Sequence, residues 1–157
     1  MNSLRNRLKP AARTTVAVML AAFLVACAPA NGDNSFPYAR VERTCAPWDG
    51  PAVAIVLSNV AAKCGKQTLP HLNITLWRDL PPRAGQTIVF DNNGKAGRAS
   101  YCPPAGSCEM AASGTVMIEK YVEGKSATGR YDFVFPKAGR ITGTFQAAWC
   151  DTCPMCG

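Results

Sequence analysis

The stretch Ser126-Ala127-Thr128-Gly129-Arg130-Tyr131-Asp132-Phe133-Val134-Phe135 decides the fold. Side chains change character with a period of two, so Tyr131, Phe133 and Phe135 share one face of an extended strand and Arg130 and Asp132 take the other. A helix would scatter the three rings around its axis. The same period continues on both sides. Residues 114–122 put Val116, Ile118 and Val122 on one face, and residues 139–150 do the same for Ile141, Phe145, Ala147 and Trp149. The connections Glu123-Gly124-Lys125 and Pro136-Lys137-Ala138-Gly139 are short and turn-like, which predicts an antiparallel meander of three strands. Gly-x-Tyr and Gly-x-Phe steps, Gly129 to Tyr131 and Gly143 to Phe145, recur within it.

Upstream, four further apolar runs, at 52–57, 72–78, 86–91 and 98–102, are punctuated by Gly, Pro and Asn. Asp91-Asn92-Asn93-Gly94 begins like a calcium loop. It lacks the later oxygen ligands and the closing glutamate of an EF-hand, and reads as a hairpin turn. Residues 58–65 allow one or two helical turns, with Gly65 as the stop. About seven strands and no long helix predict an all-β domain, a small antiparallel β-sandwich or a partly closed barrel, stapled by disulfides.

Of eight cysteines, seven fall in this domain, Cys45, Cys64, Cys102, Cys108, Cys150, Cys153 and Cys156, and all are disulfide candidates in an oxidising compartment. Cys102 and Cys108 enclose the turn-rich Pro103-Pro104-Ala105-Gly106-Ser107, a natural length for a local bridge. Cys45 with Cys64 would clip the start of the domain to the segment after the first strand, worth about 3 kcal/mol by loop entropy. An odd count leaves one cysteine over after three bridges.

The tail Trp149-Cys150-Asp151-Thr152-Cys153-Pro154-Met155-Cys156 contains Trp-Cys-x-x-Cys, which is similar to the redox motif of thioredoxin-like proteins. It departs from that family in lacking the βαβ context on which the chemistry depends. Cys150, Cys153 and Cys156, with His71 as a fourth ligand, would also satisfy tetrahedral zinc or a soft ion such as Cu(I), although oxidation competes for the same thiols. No metal cofactor is expected.

Nothing else has the pattern of a catalytic centre. His71 is the only histidine, Gly-x-Ser-x-Gly is absent and the carboxylates stand singly, so no catalytic activity is expected. Trp48, Trp77 and Trp149 could form a platform for a sugar or a peptide. Trp77, out of phase with Leu72, Ile74 and Leu76, is the ring expected to be exposed.

The first 26 residues differ from the rest. Arg5, Arg7, Lys9 and Arg13 precede an apolar run at 14–26 that is too short to span a bilayer, the pattern of a secretory signal. It ends in Leu24-Val25-Ala26-Cys27, which resembles the lipobox of bacterial lipoproteins. That resemblance implies cleavage before Cys27, a diacylglyceryl group on its thiol, an acyl chain such as palmitate on its amine, and attachment to the lipid bilayer. Ala28, where an aspartate would retain a Gram-negative lipoprotein in the inner membrane, implies the outer membrane, facing the periplasm or the cell surface. Residues 27–44, polar and broken by proline, read as a tether carrying a domain at 45–157.

The chain holds 17 Lys and Arg against 10 Asp and Glu; without the leader's four cations the balance falls from +7 to about +3. The basic residues are scattered, which argues against nucleic acid as a partner. The sequence therefore points to an envelope lipoprotein acting as a binding or structural module for an envelope protein or a saccharide. A thiol-redox or metal-binding protein built on the tail cysteines is the first alternative. An enzyme inhibitor presenting the loop between Cys102 and Cys108 is the second.

Overall fold

The computed structural model describes residues 36–91, 93–152 and 154–156. The leader, Cys27, the first part of the expected tether and Cys153 lie outside the described residues. Nine strands form: β1 (Tyr38–Cys45), β2 (Pro51–Ser58), β3 (His71–Leu76), β4 (Gln86–Phe90), β5 (Gly97–Cys102), β6 (Glu109–Met110), β7 (Ser113–Val122), β8 (Ser126–Phe135) and β9 (Gly139–Cys150). Among the described residues there is no helix. The segment after β2 makes only a turn, in which the Lys66 amide donates to the Lys63 carbonyl (3.0 Å) with Gly65 at φ 71°.

The strands are not two sheets face to face but one curled sheet, a half-barrel, in the order β4-β7-β8-β9-β1-β2-β3-β5-β6. A sandwich would need a break in the hydrogen bonding; β1 removes it by pairing antiparallel with β2 and parallel with β9. The nine strands exceed the seven expected because β1 lies largely within the expected tether, and β6 is only two residues long. Tyr38–Cys45 is a strand because Val41 enters the core while Arg40 and Glu42 share the outer face, the alternation of a half-buried strand.

The meander β7-β8-β9 is antiparallel throughout, with Gly124 (φ 72°) and Gly139 (φ 74°) in its two turns. Its inward face contains three glycine–aromatic pairs across neighbouring strands: Gly114 with Phe133, Gly129 with Phe145, and Gly143 with Tyr131. In each case a Cβ on the glycine would collide with the ring opposite. The Gly-x-Tyr and Gly-x-Phe steps are thus the small halves of cross-strand pairs that let large rings lie over a curled sheet. One part of the alternation does not hold. A bulge between Ile118 and Lys120 shifts the register, so Tyr121, opposite buried Ala127, replaces Val122 on the inner face.

The inner face closes on one core in which Val41, Leu72, Ile74, Leu76, Val116, Ile118 and Phe133 are fully buried. Between β6 and β7 the chain passes from one flank of the curled sheet to the other. The Ala111 amide donates to Ala99 on β5 (2.9 Å) and the next amide, Ala112, to Val134 on β8 (2.8 Å).

β2 is buried on both faces, with Val53, Ile55 and Leu57 inward and Ala52, Ala54, Val56 and Ser58 outward. The outer cover is the connection to β3, residues 59–70. The Arg40 guanidinium donates to the Lys66 carbonyl (2.6 Å) and pairs with Glu42 (3.0 Å), and the Ser58 hydroxyl donates to Val60 (2.8 Å).

Among the described residues three disulfides complete the frame: Cys45–Cys156, Cys64–Cys150 and Cys102–Cys108. The Cys45–Cys64 bridge is replaced. Cys64 rides on the covering segment and reaches the outer face of β9, whereas Cys45 ends β1 where the C-terminal tail returns.

Candidate functional site

The end of the half-barrel formed by the C-termini of β1, β3 and β9 and the N-terminus of β2 holds a cavity of about 410 Å³. Its walls are largely apolar, from Pro51, Val53, Leu80, Pro81 and Pro154, and its ionisable groups are Arg43, Tyr121 and Glu123. Each is placed by a local feature of the fold. Arg43 lies near the end of β1. Tyr121 faces inward because of the β7 bulge, and Glu123 opens the turn to β8. The tail is held across the opening by the Thr152 hydroxyl donating to the Arg43 carbonyl (2.8 Å) and by Cys45–Cys156.

The charged pair is well formed. An Arg43 guanidinium nitrogen donates to the Glu123 carboxylate at 2.8 Å, and that bond, with the carboxylate's charge, raises the arginine pKa further. The guanidinium carbon lies 5.9 Å from the centre of the Trp149 ring, which meets Tyr121 edge to face at 6.4 Å. Burial, then the Glu123 charge, pushes the Tyr121 phenol up, so it remains a hydrogen-bond donor at neutral pH.

Beside this cavity the tight turn between β1 and β2 carries Trp48 at its tip. The Ala46 amide donates to Gly50 (2.8 Å), the Asp49 amide donates to Ala46 (2.9 Å), and Asp49 adopts φ 61°. Trp48 is 63% exposed and meets Trp77 edge to face at 5.6 Å. Trp77 is only half-buried, its indole N–H donating to the Gly94 carbonyl (3.1 Å). Two of the three tryptophans therefore come together, and the more open ring is Trp48, not Trp77. Trp149 packs with Tyr121 instead. Of the expected hairpin turn at 91–94, Asn92 lies outside the described residues; the Gly94 amide donates to the Asp91 carbonyl (3.2 Å), but the strands on either side, β4 and β5, do not pair as a hairpin.

The tail cysteines do not form a thiol cluster. Cys150 and Cys156 are bonded to Cys64 and Cys45, and Cys153 lies outside the described residues. His71 starts β3, buried, with Nδ1–H placed to donate to the Thr68 carbonyl at 3.2 Å. Burial lowers its pKa and the nearby Arg40 charge adds to this, against the opposing effect of Thr68. Among the described residues no group of three or more His, Cys, Asp or Glu is placed to hold a metal ion. The Cys102–Cys108 loop stands at the opposite end of the half-barrel, where Glu109 accepts the Lys137 and Ala138 amides at 2.8 Å each.

A second hollow, of about 420 Å³, lies on the outer face beneath the covering segment, between Tyr38, Arg40, Ser58, Gln146 and the Cys64–Cys150 bridge. Neither the grouping of Arg43, Tyr121 and Glu123 nor this outer layer was legible in the linear pattern. The alternation Arg40-Val41-Glu42 was the one available signal for β1. No protein-family model, curated protein or solved structure matches the chain.

Proposed function

We propose that this chain is a lipid-anchored lipoprotein of the bacterial cell envelope whose β domain is a binding module, with the half-barrel end around Leu80, Tyr121 and Trp48 as its binding face. The address rests on Leu24-Val25-Ala26-Cys27. The binding role is supported by one observation above the others. The apolar cavity with its Arg43–Glu123 pair, and the exposed Trp48 beside it, lie at the end of β1 opposite the one where the N-terminal segment enters the domain. A partner at that end would meet the domain at the end of β1 away from Tyr38, where the strand begins. Apolar walls with a few polar groups suit an apolar side chain from an envelope protein better than a sugar, whose hydroxyls would face proline and leucine.

With Ala28 after the anchor, the reading places the protein at the outer membrane, on the periplasmic side or at the cell surface. Two measurements test it. Intact mass of protein purified from the membrane fraction is expected to show lipid on Cys27; an unmodified Cys27 overturns the address. Photo-crosslinking from position 80 in living cells is expected to give one discrete protein adduct that Trp48→Ala abolishes. No adduct, or binding of glycan fragments alone, overturns the protein-binding reading, and hydrolytic or redox turnover by the purified protein overturns the module itself.

A further inference from the structure

We infer that the end of the half-barrel where the N-terminal segment enters is a second interaction surface, fitted to the anionic phospholipid leaflet that holds the anchor. This rests on the lipoprotein reading above. The exposed apolar side chains of the covering segment gather there. Val60 and Leu69 are 53% and 51% exposed, and Tyr38, at the start of β1, is 48% exposed. They are neighbours in space. Tyr38 pairs with Ser58, Ser58 with His71, and the Val60 carbonyl accepts hydroxyls from both Ser58 (2.8 Å) and Thr68 (3.4 Å).

The charge has the matching sign. Residues 58–71 contain Lys63 and Lys66, both exposed, and no acid. On the same side of the domain, Glu109 is occupied by two backbone amides near the sheet edge, away from β1 to β3. Lysine stems can lie along an apolar surface with their ammonium groups among phosphates, and a tyrosine ring suits the boundary between headgroup and acyl chain. An exposed apolar cluster next to cations would be a poor surface to leave in water and is a good one to set on a membrane.

The covalent reach agrees. Phe36, the first described residue, lies nine residue steps after Cys27, which allows at most about 32 Å between lipid and domain. The surface is also preformed. Cys64–Cys150, Arg40 on the Lys66 carbonyl and His71 on the Thr68 carbonyl fix the segment to β9, β1 and β3, so contact with lipid requires little ordering. The domain would then stand with Val60 and Leu69 at the leaflet and Trp48 pointing away.

The acylated protein, reconstituted in vesicles of phosphatidylethanolamine and acyl-brominated phosphatidylglycerol, provides the test. Val60→Trp and Leu69→Trp are expected to add emission that is blue-shifted and quenched by the bromine, with the wild-type emission left unquenched. Lys63→Glu with Lys66→Glu should reverse the quenching, and residues 59–70 of the wild type should exchange amide hydrogens more slowly in these vesicles than in detergent. Anchored protein whose introduced tryptophans are unquenched, and whose segment exchanges at the same rate in both media, overturns the docking and leaves the lipoprotein reading standing. Protein without lipid on Cys27 removes the premise and the inference with it.

Discussion

The meander β7-β8-β9 and the layered region β1-β2-β3 are built from the same alternation but are held together differently. In the meander each strand pairs with its sequence neighbour through a turn of a few residues, and three glycine–aromatic pairs fix the inner face. In the layered region β1 pairs with β9 from the far end of the chain, β2 is covered on both faces, and Cys64–Cys150 fastens the cover across a separation of 86 residues. Local pairing needs only patterning and turns. Long-range pairing has to offset a large loop-closure entropy, which is where cross-links contribute most.

Replacing Cys64 and Cys150 together by alanine is expected to have the largest effect, about 4.5 kcal/mol on the loop-entropy model. Denaturant unfolding would measure it. Hydrogen exchange should speed up first in residues 59–70 and β1 while β8 stays protected; uniform loss of protection would mean that the two regions are one cooperative unit. Phe133→Ala, which removes a fully buried ring of the meander, should cost about 4 kcal/mol. Its effect on exchange should follow the reverse order.

Acidification separates the regions with a smaller effect. The His71 pKa lies below its ordinary 6.5 in the folded protein, so below pH 6.5 the unfolded chain binds the extra proton and stability falls as pH drops toward the folded value. Asp132 in the meander is held below 3.8 by its hydrogen bonds from Arg140, so its contribution, present above that pH, is lost only below it. Thermal melts at intervals from pH 8 to pH 3 should show two separate declines, and His71→Gln should remove only the upper one. Least affected should be Arg140→Gln at neutral pH. The guanidinium is exposed, so the melting temperature at neutral pH should fall only slightly, by the same small amount by which the lower decline flattens.

The same contrast explains what was legible in the sequence. Each of the seven runs set off by periodicity and punctuation is a strand in the structure, because alternation is a local property. Val122 misled because a bulge changes phase without a sequence marker of its own. β1 was read as tether because Pro37 and several charges mask it, and Arg40 and Glu42, which look solvent-bound, neutralise each other under a covering segment. Cys102–Cys108 followed from proximity in the chain. Cys45 and Cys64 could not be paired in the same way, since their partners lie 111 and 86 residues further on. The aromatic pair at the candidate site was half legible. Trp48 and Trp77 were named, but which ring is open depends on a bond from Trp77 to a carbonyl that no periodicity reveals.

The parallel pairing of β1 with β9 has a consequence for the order in which the protein is made. A ribosome releases the N-terminus first, so β1 can join β2 early but must wait for the last strand before its other edge is covered. During that interval a row of free amides and carbonyls next to Val41 is open to any passing strand, including one from a second nascent chain. The short edge of the finished sheet at β6 gives no such opportunity. Synthesis is therefore the stage at which this chain most needs a holding chaperone.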